Sequence, residues 1–205
     1  MEKLIGYFTL GPEQIAGLAA LLLVCAGLFL IGKMIRPQAE MPEVNMIIGW
    51  SLVSLVFIIG GGFLGINFRI LAGGLALVAI FAFVILCFGK RRQEEGDLLR
   101  ALILALPLLW LTAAMSISQW DEFTHWMPNA RYLVAYDALP GPGKPAPTSN
   151  LPGYPHTLAF VIYLASAITG RLAENVSAIF TVVLMAFFAV MLGRLARDMV
   201  AGPQQ

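Results

Sequence analysis

Apolar runs broken by short charged connectors dominate the hydropathy pattern, and a run of about 20 such residues predicts a helix long enough to cross a bilayer. The first predicted span covers about Gln14 to Gly32, opened by Gly11-Pro12-Glu13 and closed by Lys33, Arg36 and Pro37. Little positive charge precedes it and no small-residue cleavage site ends it, so it is read as a retained span rather than a removed signal. After the polar connector Arg36 to Glu43, a second span runs from about Val44 to Leu64. Its Gly60-Gly61-Gly62 run would cost a water-exposed helix about 1 kcal/mol per residue, whereas in a membrane it allows close helix approach or a kink. Asn67 and Arg69 turn the chain into a third span, about Ile70 to Phe88. A fourth, about Leu98 to Ser118, carries Pro107 near its middle, where the missing amide hydrogen predicts a kink.

Residues 119 to 155 form the one long connection. Trp120 to Leu139 can be helical, with Asp121, His125 and Tyr132 near i, i+4 and i+11 on a shared face, and it suits a juxtamembrane helix lying along the interface. Pro140 to Asn150 is too dense in proline and glycine for regular structure and reads as a mobile flap or linker. Leu151-Pro-Gly-Tyr-Pro-His-Thr157 then leads into a short fifth span, about Thr157 to Ile168. Gly170 to Glu174 turns the chain into a sixth, about Val176 to Leu192. The expected fold is an all-α polytopic membrane protein with about six transmembrane helices and one long extracytoplasmic loop. Residues 1–97 form a three-span region; residues 98–205 supply a span, the loop and two further spans.

Composition narrows the class further. With 59% hydrophobic and 12% charged residues and a mean hydropathy of +0.82, the 205-residue chain has too few charges to cover a soluble surface. A net charge of +1 without a basic face excludes nucleic acid as a partner and leaves membrane lipids as the surroundings. Cys25 and Cys87 lie inside apolar runs and supply neither a disulfide nor a metal framework. Lys90-Arg91-Arg92 is the densest basic connector; the positive-inside rule puts it in the cytoplasm and the 119–155 loop outside, as in a bacterial inner membrane. Six spans place both termini on one side. They then divide the cations almost evenly, with Lys33, Arg36, Lys90, Arg91, Arg92, Arg100 and Arg171 inside and Lys3, Arg69, Arg131, Lys144, Arg194 and Arg197 outside. The last helix is the part that argues against this arrangement.

The dense polar constellation is Trp120-Asp121-Glu122-Phe123-Thr124-His125-Trp126, at the mouth of the fourth span. Ionisable groups at a membrane boundary are costly unless they face a cavity or a partner, which makes the cluster a candidate site. Interfacial anchoring by Trp120 and Trp126, with both carboxylates solvated, accounts for the same pattern equally well.

Together with Gly153-Tyr154-Pro155-His156-Thr157-Leu158, this stretch resembles the first extracytoplasmic loop of the GT-C class of polytopic membrane glycosyltransferases, the protein O-mannosyltransferase and aminoarabinose transferase branches in particular. The resemblance covers about Leu98 to Leu192. It implies a polyprenyl-phosphate-linked sugar donor, Asp121 as general base and Glu122 in a positioning or metal-side role, which leaves a divalent cation open as a cofactor. His125, Arg131, Tyr154 and His156 become candidate substrate-binding residues. The chemistry is reasonable in itself, because a weak nucleophile must lose its proton in the transition state and two neighbouring carboxylates raise one another's pKa. His125 and His156 also suit plain hydrogen bonding, and Arg131 and Lys144 suit headgroup contact. The order Tyr-Pro-His departs from the class's usual His-Pro-Pro or Tyr-Pro-Pro, and enzymes of the class carry more spans. The chain is then such an enzyme or a truncated or split part of one, a subunit completed by a partner membrane protein, or a degenerate relative; the alternative is a non-catalytic membrane subunit whose 119–155 loop docks another protein.

Overall fold

The computed structural model describes residues 9–36, 41–88, 94–115, 117 and 120–201, and these are helical with no strand among them. The basic connector at Lys90 to Arg92 lies outside the described residues. The first helix, α1 (Pro12–Ile35), starts with Pro12 at its first position, where the absent N–H is no loss, and has Glu13 in the positive first turn. Helix α2 (Val44–Val56) widens at its carboxyl end into a π-helical turn, Phe57–Phe63. The glycine run makes that turn possible: a Cβ on Gly61 would overlap the Phe68 ring, and one on Gly60 would stand 2.9 Å from a Leu71 methyl. Helix α3 (Phe68–Cys87) is capped by Asn67, whose side chain accepts the Arg69 amide hydrogen at 2.8 Å.

The fourth span is broken, as Pro107 requires. Helices α4 (Glu94–Leu104) and α5 (Leu106–Ala114) meet at a 49° bend. After a π-helical turn at Glu122–Trp126 come α6 (Met127–Tyr136), the central α7 (Thr157–Thr169) and the last helix, α8 (Val176–Ala201). Among the described residues, four helices are long and apolar enough to cross a membrane, and the bent α4–α5 pair makes up to five.

Helix α7 differs from the fifth span expected from sequence. It has 13 residues, about 20 Å at 1.5 Å per residue, against a hydrocarbon core of about 30 Å. Polar contacts fix its place. The Asn175 side-chain amide donates to the carbonyls of Gln14, at the start of α1, and Ala113, at the end of α5. Arg171 pairs with Glu13. At the opposite end of the bundle, Arg194 of α8 binds Glu43 (2.6 Å) and Asp97 (3.5 Å). The chain therefore leaves α5 and enters α8 at one and the same end. Helix α7 begins inside the bundle, where the Trp50 indole donates to the Thr157 carbonyl (3.0 Å), and ends beside α1's first turn. It is a shorter apolar helix than those long enough to cross. Arg171 and Arg194 accordingly exchange the ends that six spans would assign them.

Four rings from three elements pack around α7: Phe57, Phe68, Phe160 and Tyr163, with centroids 4.7 Å apart for Phe57–Phe68 and 5.0 Å for Phe57–Phe160. Its residues from Ala159 to Tyr163 are all buried, on every side of the helix. A helix apolar all round needs cover all round, which α1, α2, α6 and α8 provide.

Candidate functional site

The site is assembled from two stretches that are far apart in sequence. The loop returns on itself so that the Asn150 amide donates to the Thr124 carbonyl at 3.0 Å, which lays residues 150–156 along the turn at Glu122–Trp126. Tyr154 then stands edge-on to Trp126 (5.1 Å) and parallel to His125 (6.3 Å), while Trp120 packs edge-on to His125 (5.6 Å). The result is an aromatic wall with an imidazole in the middle. His156 stacks on Phe160 at 6.1 Å and so belongs to the inner edge of the same region.

Polar groups here have spare hydrogen-bonding capacity. His125 Nδ1, His156 Nε2 and Asn129 Oδ1 are buried with no hydrogen-bond partner among the described residues. Each such atom costs about 1–3 kcal/mol if left unsatisfied. Burial pulls the His156 pKa below its ordinary 6.5, opposed in part by its hydrogen bond with the Tyr154 backbone. A neutral His156 can accept a proton or a hydrogen bond at physiological pH.

The expected residues are distributed unevenly. His125, Tyr154 and His156 come together as described. Asp121 is exposed at the amino end of the π-helical turn, and Glu122 is partly covered beside it. Arg131 does not join the aromatic wall; it pairs with Glu174 at 2.9 Å, tying α6 to the turn before α8. Exposure differs along the segment expected to place Asp121, His125 and Tyr132 on a shared face: Asp121, before the π-helical turn, is exposed, His125 is partly covered and Tyr132 is buried. Nor is the proline-rich stretch a free flap. Tyr132 donates to the Pro145 carbonyl at 3.0 Å, Ser149 is buried, and Asn150 is held as above.

Asp137 is the polar residue that sequence reading missed. It closes α6 in the left-handed conformation (φ 50°), its carbonyl accepts the Phe68 amide at 3.0 Å, and its carboxylate receives Arg69 Nε at 2.8 Å and the Tyr163 hydroxyl at 2.6 Å. One residue thus joins α3, α6 and α7. An aspartate just before a Pro/Gly-rich stretch is a helix-stop signal, and its ionic partner 68 positions earlier has no local signature. Among the described residues, no group of three or more His, Cys, Asp or Glu side chains is placed to hold a metal ion. No family model matches the chain, and neither does any curated protein or solved structure.

Proposed function

We propose that this is the membrane-embedded part of a GT-C-like glycosyltransferase, which moves a sugar from a polyprenyl-phosphate-linked donor to an acceptor on the non-cytoplasmic face of a bacterial inner membrane. The observation that carries the reading is the joining of residues 120–126 to residues 150–156 in one aromatic, histidine-containing surface beside the start of α7. Aromatic faces suit the apolar faces of a sugar ring. The imidazole of His125, set within the aromatic wall, suits its hydroxyls. Asp121, at the rim, takes the proton of the acceptor hydroxyl or amine as that atom bonds to the anomeric carbon and the lipid phosphate leaves with the bonding pair.

Orientation has its own support. With α7 returning, Arg194 and Arg197 share an end with Lys33, Arg36 and Arg100, and Arg171 moves to the opposite one. The near balance of cations becomes an excess at the Glu43 end, which supports reading that end as cytoplasmic and the 119–155 loop as external.

A second reading is a non-catalytic membrane subunit. It is favoured by the exposure of Trp120, Asp121 and Phe123, an aromatic-acidic patch suited to a protein partner. One assay separates the two. In proteoliposomes supplied with short-chain polyprenyl-phosphate sugars and acceptors bearing hydroxyl or amine groups, Asp121→Asn is expected to reduce polyprenyl phosphate release by about 10²–10⁴ with unchanged thermal stability. Near-normal release by the variant removes Asp121 from the chemistry; no release by the unaltered chain with any donor favours the subunit.

A further inference from the structure

A cavity of about 800 Å³ separates α3 from α1 and the end of α7, and it is independent of the loop site. Leu23, Gly27, Gly73, Ala76, Phe83 and Ile168 contribute to a lining that is almost wholly apolar, with Arg69 as its cation. From Arg69 to Phe83 it follows α3 for 14 residues, about 21 Å, which is roughly two thirds of a hydrocarbon core. The groove also opens sideways, since α3 fully buries only Phe68 and Ala82, half-covers Leu71, Ala72, Leu75 and Ala79, and exposes most of its remaining residues. Water does not fill such a space, because an apolar lining offers it too few partners. In a bilayer the remaining candidate is hydrocarbon.

Arg69 adds selectivity. Its Nε is engaged by Asp137, yet its side chain remains 78% exposed at the amino end of α3, where the guanidinium faces the headgroup layer. We propose that this groove holds one acyl chain of an anionic membrane phospholipid, with the phosphate at Arg69 and the chain running along Gly73 and Ala76 toward Phe83. The lipid serves as the packing partner that α3 lacks.

Two adjacent glycines make the test clean. A Cβ at either Gly73 or Gly74 meets open space, so both positions accept a side chain, but only Gly73 lines the groove. Full-length protein is reconstituted in nanodiscs of phosphatidylcholine and phosphatidylglycerol, extracted into detergent, and the retained lipid is measured by native mass spectrometry. The expected result is one retained lipid per chain, with phosphatidylglycerol favoured about fivefold, the ratio that a single basic side chain near the surface supplies. Gly73→Phe should lose this lipid and Gly74→Phe should keep it. Arg69→Gln should retain a lipid without the headgroup preference. Equal retention by the Gly73 and Gly74 variants overturns the site. Displacement of phosphatidylglycerol by equimolar polyprenyl phosphate reassigns the groove to a carrier lipid, and conversion of a dimer to a monomer by Gly73→Phe alone reassigns it to a second copy of the chain; either result overturns the proposal.

Discussion

Against α2, helix α1 presents Gly32, where a Cβ would overlap the Asn45 carbonyl, and it receives Gly49, where one would overlap the Leu28 carbonyl. Against α3, a Cβ on Gly27 would stand 3.6 Å from the Ala79 methyl, an ordinary contact, and one on Gly73 would meet open space. Both pairs are rich in small residues, the composition that lets transmembrane helices approach closely. The difference lies at their ends. Helix α2 is tied at one end by Glu43, which is 1% exposed and bound to Arg194, and toward the other by Phe57 in the aromatic cluster. Helix α3 is tied at Phe68 and Arg69, whereas Cys87 and Phe88 at its far end are exposed. Small residues permit contact, and anchoring at both ends holds the helices in it.

The largest effect should come from filling the closed interface. Gly49→Leu places a side chain against a backbone carbonyl that cannot move without separating α1 from α2, so the loss should exceed the ~3 kcal/mol of ordinary overpacking and abolish the folded peak in detergent chromatography. Gly73→Leu should elute and melt like the unaltered protein. Similar behaviour of the two would erase the distinction between the interfaces.

Removing an anchor should make α2 resemble α3. Arg194→Leu leaves Glu43 buried without its cation, at a cost of about 3 kcal/mol, the lower end for a buried pair because Asp97 remains partly hydrated. Adding Glu43→Leu should recover most of the lost melting temperature, since two apolar residues can replace a buried pair. If the double variant is no better than the single one, the anchor is not ionic.

The smallest effect concerns the entry to α7. His156 has a lowered pKa when folded, so between that value and 6.5 the unfolded chain binds the proton more readily. Stability should be complete above pH 6.5 and decline as the pH falls below it. His156→Gln should flatten that part of a melting-temperature profile, and an unchanged slope would assign it to other groups.

The crossing helices were legible because their signals are local: the lengths of the apolar runs, Asn67 as a cap, Pro107 as a break. The two stretches of the loop site stood out for their rare polar and aromatic residues. Their contact depended on the Asn150–Thr124 hydrogen bond, which no pattern announces. Helix α7 was misjudged for a physical reason. A 13-residue apolar run looks the same whether lipid or protein surrounds it, and its depth is set by Trp50 and Asn175, each bonded to residues more than 60 positions away. Glu43, Arg194 and Asp137 act through partners equally distant in sequence.

The central position of α7 dictates the order in which the protein can be made. Residues 120–174 emerge from the ribosome before the helix that contributes Ile179, Phe180 and Val183 to the buried core. Until α8 has been synthesised and inserted, one flank of α7 has no protein to lie against, and at about 20 Å the segment is too short to wait in the lipid as a span of its own. Docking of α7 is therefore a late event, completed when Asn175 reaches the carbonyls of Gln14 and Ala113. A nascent chain stalled before Val176 would carry its first long apolar helices with its loop still unassembled, and the last helix is the part whose arrival converts an inserted chain into a folded one.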